Sequence, residues 1–517
     1  MGEKNPIHKY PRSAGVLMPV TMLHGPFGIG TLGAEAMEFI DFLSGAGFHV
    51  WQVLPVENTS MCGSPYKCVS AFAGEPMLID PRMLLEMGLV TDGELLERIE
   101  GTSEDSVNYE IVRIKQRKLL EAAYARLLAK QEDSSDVTPR TKAEPYPSFS
   151  AFKPFWLDTY ALYMAIKHRF DEKPWYEWPD ASLRNHDDDA ISKAKEELRD
   201  EFGFYKFVQW LFYEQWKKLK EHAAERGVSI IGDMPFYVSE DSVEVWSARK
   251  LFDVDSEGSF LSVAGAPPDY FSPKGQHWGN PIYNWKAMKK SGYRWWARRV
   301  KGAIGRYDYV RIDHFRGFDS YWRIPADAED ARSGEWVTGP GIALFKAVES
   351  RLGNTDLPLI AEDLGDTHGN VDKLLKDSGL RGMRVLQFGF LSDEKHLPHS
   401  ISEDYVAYTG THDNTTLLAW VFELAPEDRE RALFYIGFDG DWTAGGPNCA
   451  IMKAWIRTLF TSGASLAIVP IQDLLGYGAD TRTNTPGTPE GNWRFRIRQD
   501  ALNQIDSGFY KALIKAT

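Results

Sequence analysis

"YVRIDHFRG", residues 309–317, reads as a buried β-strand that carries two charges where valines would have packed as well. Side chains alternate along a strand, so Arg311 and Asp313 share one face while Val310 and Ile312 share the other. Burying an ion pair costs desolvation that packing does not demand. The pattern makes sense if the apolar face meets helices and the charged face points into a site. Seven further apolar runs read as short buried strands: GVLMPV from 15, FHVWQVLPV from 48, VSIIGDMPF from 228, LPLIAEDL from 357, MRVLQFGF from 383, VAYTGTHD from 406 and SLAIVPIQDL from 465. Helical patterns lie between most of them, such as GAEAMEFIDFLSGAG, WKKLKEHAAERG and VDKLLKDSG, the last two closing with glycine. Parallel strands need crossover helices and bury both faces, so the alternation predicts an α/β fold, a (β/α)8 TIM barrel. A doubly wound open sheet is the alternative.

The whole chain, 1–517, reads as one catalytic barrel with two insertions. The gap 57–227 is too long for one crossover helix and predicts a mostly helical subdomain; a second insertion covers about 239–305. Within the first, KQEDSSDVTPRTKAEPYPS (130–148) has the charge, serine and proline of a solvated loop. Too few residues follow the NTPGTPEGN loop for a C-terminal β-sandwich.

Lys and Arg total 59 against 73 Asp and Glu, a net charge of −14 that disfavours nucleic acid or an anionic membrane surface as partner. A neutral or cationic ligand fits better. The 17 Trp, 22 Tyr and 28 Phe supply flat faces for a core or for ligand rings, with core the default for any one of them. Cys62, Cys68 and Cys449 are too few and too irregularly spaced for a disulfide framework or a cysteine zinc site. No signal peptide and no apolar run of membrane-span length is present, so a cytoplasmic protein is expected.

Barrel sites occupy the C-terminal ends of the strands, and acids recur there: Asp233 in IIGDMPF, Asp313 in RIDHF, Glu362 in IAEDLG and Asp413 in TGTHDN. Carboxylates clustered in a pocket for a neutral ligand suit glycosidic chemistry, in which one attacks the anomeric carbon and another, of raised pKa, protonates the leaving oxygen. A guanidinium beside the attacker, here Arg311, is expected to keep it ionised. Glu362 and Asp363 are adjacent, and alternation does not choose between them. Asp233 organises the site or binds sugar on this reading. Two other patterns have plainer explanations. FGIGTLG (27–33) matches a dinucleotide fingerprint but stands too far from its strand, and reads as a tight loop. The pairs Asp313–His314 and His412–Asp413 are poor chelators because neighbours on a strand face opposite ways, so no metal is expected.

RIDHFRG, IAEDLG, THDN, IGDMPFYVSEDSVEVW, GSPYKCVSAFAG, AGAPPDYFSPKGQHWGNPIY and NTPGTPEGNWRFR together resemble the 4-α-glucanotransferases, or amylomaltases, of glycoside hydrolase family 77, from about residue 15 to 500. The resemblance implies Asp313 as nucleophile, Glu362 as general acid and base, and Asp413 as stabiliser of an oxocarbenium-like transition state. It implies sugar contacts from Ser64, Tyr66, Asp233, Arg311, His314, His412 and Asn484, and a loop at 264–283 that covers the cleft with Tyr270, Phe271, Gln276 and Trp278 against the glucan. The glycine- and proline-rich surroundings of Tyr66, Phe271 and Trp278 favour exposed loops. No cofactor is implied, and the partners are α-1,4-glucans such as maltooligosaccharides, amylose and glycogen. Family members often carry tyrosine where this chain has Met61, a departure that bears on any secondary glucan site built on that ring. The start of the chain resembles compact members without N-terminal carbohydrate-binding domains. The expected reaction is retaining transfer of α-1,4-glucan segments. The rival readings are an α-amylase-like hydrolase with the same acids, and a non-catalytic glucan binder, which would have no need of a buried carboxylate beside an arginine.

Overall fold

A computed structural model describes residues 12–60, 63–133, 147–255, 257–268, 272–365, 369–390, 393–488 and 490–517. Eight parallel strands form its centre: β1 (Ser13–Leu17), β2 (Val50–Gln52), β3 (Ser229–Met234), β4 (Tyr309–Ile312), β5 (Leu359–Ala361), β6 (Gly382–Val385), β7 (Tyr405–Tyr408) and β8 (Leu466–Pro470). Each lies in or at the edge of one of the eight apolar runs. Neighbours in the chain are neighbours in the sheet, and β8 returns to β1 over five register pairs, Ser13↔Leu466 to Leu17↔Pro470. The remaining seam, β5 to β6, is closed by one parallel bridge, Ile360↔Arg381, with Ala361 N–H donating to the Arg381 carbonyl at 2.7 Å. The sheet is therefore a closed barrel, and the open-sheet alternative falls.

Two of the runs turn from strand to helix before they end. MRVLQFGF turns helical at Leu386–Gly389 and SLAIVPIQDL at Ile471–Leu475, yet Leu386, Ile471, Leu474 and Leu475 are buried all the same. A continuous apolar run reports burial, not backbone geometry.

Strand parity divides the core in two. Leu17, Val50, Ile231, Ile360, Met383, Val385, Val406, Tyr408, Leu466 and Ile468 fill the barrel interior, where the Tyr408 hydroxyl donates to Gln52 Oε1 at 2.9 Å. Val310 and Ile312 face outward and join the larger core with Trp296 and Phe345 of the surrounding helices. Arg311 thus lies on the inward face.

Between β2 and β3 the chain is helical, with long helices at Tyr109–Asp133, Leu157–Arg169 and Arg199–Glu225. The last of these packs its stripe of Phe204, Phe207, Leu211 and Leu219 inward and leads directly into β3, so it also serves as the barrel's crossover helix. The helix Tyr109–Asp133 takes in the first residues of the stretch read as solvated loop; 134–146 lie outside the described residues.

Between β3 and β4 the segment expected as a loop, 264–283, is largely a hairpin of Ser262–Ala266 and Gln276–Pro281. These join Ser320–Pro325 and Glu335–Thr338, which follow β4, in a four-stranded antiparallel sheet. Glycine and proline suggested a turn, but here glycine permits close strand contact: a Cβ on Gly265 would run into the Gln276 carbonyl. The glycines of FGIGTLG also serve packing, since a Cβ on Gly33 would overlap the Asp80 carboxylate that fills that helix start and accepts from Thr31 Oγ1 at 2.9 Å. Among the described residues no helix is long and apolar enough to cross a membrane.

Candidate active site

The ladder of β3, β4 and β5 continues past the strand ends and fixes where the acids emerge. Asp313 N–H donates to the Met234 carbonyl and Glu362 N–H to the Ile312 carbonyl, both at 3.0 Å. The next residue, His314, takes a left-handed backbone, φ 49°, and its N–H donates to Glu362 Oε2 at 2.8 Å. Leu364 N–H donates to Glu362 Oε1 at 2.9 Å, so both oxygens are held by backbone. The two adjacent acids part company: Asp363 turns to β6, where it accepts from Met383 N–H at 2.7 Å and pairs with Arg384 at 2.9 Å.

Arg311 is the hub. Its guanidinium donates to Asp233 Oδ2 at 2.7 Å and to Asp313 Oδ1 at 3.0 Å. The Arg311 and Asp233 side chains are 4% and 0% exposed and that of Asp313 is 28%, so the buried pair is Arg311–Asp233 and Asp313 opens toward the mouth. Asp233 also accepts from the Tyr66 hydroxyl at 2.6 Å, which stands 2.9 Å from His412 Nε2. The Tyr66 and His412 rings stack with centroids 5.3 Å apart, and Trp493 closes the group at 5.9 Å from Tyr66. Burial lowers the pKa of His412, and burial with the charge of Asp233 raises that of the Tyr66 phenol, so both are neutral near pH 7.

Asp413 sits in a loop five residues beyond the end of β7, not on the strand as its run suggested. Its Oδ1 accepts from Asn484 Nδ2 at 2.6 Å, its carbonyl accepts from Arg482 at 2.6 Å, and its Oδ2 lies 3.4 Å from His412 Nε2. On the opposite wall the His314 ring meets Trp278 edge to face at 5.0 Å, and Trp278 Nε1 donates to Gln276 Oε1 at 3.0 Å. Trp278 lies in a strand rather than an exposed loop, half-buried because the hairpin leans on the site. Ser64 is joined through its turn, where Tyr66 N–H meets its hydroxyl at 3.4 Å. Tyr270, Phe271 and Met61 lie outside the described residues.

One electrostatic expectation is corrected. Arg311 does pull the Asp313 pKa down, but burial, with Asp233 and Asp413 adding like charge, outweighs it and raises Asp313 to about 7. Burial lifts Glu362 further, to about 8, with Asp313 adding to the rise against Arg311. The two carboxyls titrate as a pair, and burial lifts both above the ordinary carboxyl range. Burial also lowers His314, to about 3, so that ring is neutral.

Several contributors were not singled out from sequence. Arg482 and Trp493 belong to loops with no periodicity to expose them. Asp473 had a signal: it is an acid inside the apolar run SLAIVPIQDL, as Asp313 is in its own. Its carboxylate accepts from Thr409 Oγ1 at 2.6 Å and from Leu417 N–H at 2.8 Å, clamping both feet of the loop that carries His412 and Asp413.

A closed parallel barrel with paired acids at adjacent strand ends and a neutral, aromatic-walled mouth defines a glycoside-processing barrel. Residues 18–502 match the family described as 4-alpha-glucanotransferase, glycoside hydrolase 77. The 4-alpha-glucanotransferase of Aquifex aeolicus is 42% identical, covering 97% of this chain and 98% of its own. That of Thermus thermophilus is 40% identical over 98% and 99%. The amylomaltase of Streptococcus agalactiae, solved in complex with acarbose, superposes with a TM-score of 0.90 at 38% identity, covering 97% and 98% of the two chains. The chain belongs to the 4-alpha-glucanotransferase family.

Proposed function

We propose that this enzyme, a 4-α-glucanotransferase, moves α-1,4-glucan segments with Asp313 as nucleophile, Glu362 as acid and base, and Asp413 as stabiliser. The observation that carries the assignment is the unequal setting of two acids on adjacent strands: Asp313 rests on a guanidinium, while Glu362 is held by two backbone N–H groups. With Oδ1 engaged by Arg311, Asp313 Oδ2 attacks the anomeric carbon. The bond from that carbon to the leaving 4-oxygen breaks, and the oxygen takes the Glu362 proton. The 4-hydroxyl of a second glucan then attacks the glycosyl-aspartate, gives its proton to Glu362 and frees Asp313, so two inversions yield retention. Asp413 is assigned to hold sugar hydroxyls as the ring flattens, a role supported by its fixing through Asn484, Arg482 and the neighbouring His412.

Ser64, Tyr66, Asp233, Arg311, His314, His412 and Asn484 are assigned to the same sugar, and the hairpin with Gln276 and Trp278, together with Tyr270 and Phe271, to covering the cleft. Transfer outruns hydrolysis only if a bound acceptor has a higher effective molarity than water, which a covered cleft provides. Maltooligosaccharides, amylose and glycogen are the proposed substrates. A reducing, cytoplasmic setting is part of the same reading, supported by the free thiols of Cys68 and Cys449. Incubation with maltotriose is expected to give glucose and a ladder of longer maltooligosaccharides by chromatography, with Asp313→Asn inactive. Reducing ends without lengthening would instead indicate a hydrolase.

A further inference from the structure

The seam between β5 and β6 is the weakest in the barrel. Every other pair of neighbouring strands shares three to five register pairs, whereas β5 and β6 share the single bridge Ile360↔Arg381. Glu362 leaves the barrel at this seam.

We propose that Asp363 is a positioning residue for Glu362: its carboxylate supplies the rung that the β5–β6 ladder lacks and so sets the direction in which Glu362 enters the site. After Ala361 N–H has bonded to the Arg381 carbonyl, the next donor on the neighbouring side is Met383 N–H, and it finds Asp363 Oδ1 at 2.7 Å instead of a backbone carbonyl. Asp363 Oδ2 takes Arg384 Nη1 at 2.9 Å. Gly382 makes the approach possible, because a Cβ there would stand 2.8 and 2.9 Å from the two carboxylate oxygens. Arg384 is held in turn over the Tyr405 ring, 3.6 Å from its centroid, and by the Met383 carbonyl at 2.7 Å. The pair is buried, with side chains 2% and 7% exposed.

The dipeptide is thus tied on both flanks. Glu362 N–H and carbonyl bond to Ile312 and Phe315 on the β4 side, each at 3.0 Å, while the Asp363 side chain bonds to β6. Without Asp363 the peptide that carries Glu362 is anchored on the β4 side, with one rung behind it on the other. A buried ion pair that served stability alone would occupy any seam equally well. This one stands one residue from the proposed acid, at the seam held by a single backbone bridge. Positioning of reacting groups is steep, with a displacement near 1 Å costing roughly a hundredfold.

The proposal rests on Glu362 being the acid and base, and the test separates the two. Asp363→Ala, Asp363→Asn and Glu362→Gln are made in the full chain, with folding checked by melting and circular dichroism. Transfer is measured with maltotriose and with α-maltotriosyl fluoride, whose leaving group needs no proton. Asp363→Ala is expected to lose about a hundredfold in kcat with maltotriose at a KM within about threefold of wild type. It is expected to lose less than about fivefold in the glycosylation step with the fluoride, followed by fluoride release in a single turnover, and to show a displaced alkaline limb. Asp363→Asn keeps an acceptor for Met383 N–H and is expected to recover to within about tenfold of wild type. Equal losses with both donors, or an unmoved kcat and alkaline limb, overturn the proposal. If Asp363→Ala does not fold, the same comparison of donors in Asp363→Ser, which takes away the carboxylate that meets Met383 N–H, decides it: a loss confined to maltotriose supports the proposal, and equal losses or none overturn it. Wild-type transfer by Glu362→Gln would overturn the assignment of Glu362 itself, whatever Asp363→Ala does.

Discussion

The two halves of the mouth are built by different means. On the β3–β5 side, Asp233, Arg311, Asp313 and Glu362 stand on or one residue beyond strands, and ladder hydrogen bonds carry on to the acids themselves. On the β7–β8 side, His412, Asp413 and Asn484 lie in loops, and besides one backbone bond, from Asn484 N–H to the His412 carbonyl, their order comes from side chains: Asp473 at the base, with Arg482 and Asn484 reaching across. A group that attacks carbon needs a rigid mount. A group that steadies hydroxyls is placed as well by a mesh of hydrogen bonds, but that mesh has more points of failure.

Arg311→Met tests the strand side most severely. It leaves Asp233 and Asp313 without their cation, so we expect kcat to fall by about 10³-fold or more. Unfolding in urea should show a loss of about 3–5 kcal/mol, the usual result of orphaning one side of a buried pair. A variant with near wild-type kcat would mean that the ladder alone orders that half. On the loop side, Asp473→Asn offers one acceptor to two donors, Thr409 and Leu417, and presents an N–H to the other. We expect a loss of about 1–3 kcal/mol in stability and roughly tenfold to a hundredfold in kcat/KM, measured by urea unfolding and initial rates. If Asp413 keeps its place without that clamp, the loop is ordered from its remaining partners, Arg482, Asn484, Tyr66 and Gln387.

The smallest effect concerns the acids on the strand side. Activity should follow a bell whose two limbs belong to the Asp313–Glu362 pair, both displaced above the ordinary carboxyl range because burial raises each acid. Stability moves the other way. The Glu362 pKa is raised in the fold, so folding gains from its proton below the ordinary carboxyl range, and that gain drains away as pH climbs to about 8. Glu362→Gln offers one acceptor to two N–H donors, so it should melt below wild type near pH 4.5, and the gap should narrow or reverse above pH 8, where wild type has lost the gain from its proton. Parallel melting curves across that range would contradict the elevated pKa.

Legibility followed the same division. The eight staves could be read because apolar runs alternate with helices that end in glycine, and Arg311 and Asp313 stood out because charge interrupts such a run. The rest depended on tertiary contacts. Composition could not tell the hairpin at 262–281 from a loop, since its partners at 320–325 and 335–338 come from beyond the next strand. Parity placed Asp313 beside Arg311 but could not weigh burial against the guanidinium, and burial prevails. Alternation alone could not choose between Glu362 and Asp363; the family resemblance chose Glu362, and the opposing partners, His314 N–H for one and Met383 N–H with Arg384 for the other, are what alternation could not see.

The cylinder is sewn along five residue pairs where its first stave meets its last, Ser13↔Leu466 to Leu17↔Pro470. During synthesis, then, the cylinder stays open until residue 470 has left the ribosome, and Leu17 waits for Ile468 and its neighbours with an apolar face bare to solvent. Contacts so far apart in the chain make for slow closure. This enzyme's window of vulnerability to aggregation is therefore set by its last-made strand, long after its first acids have been translated.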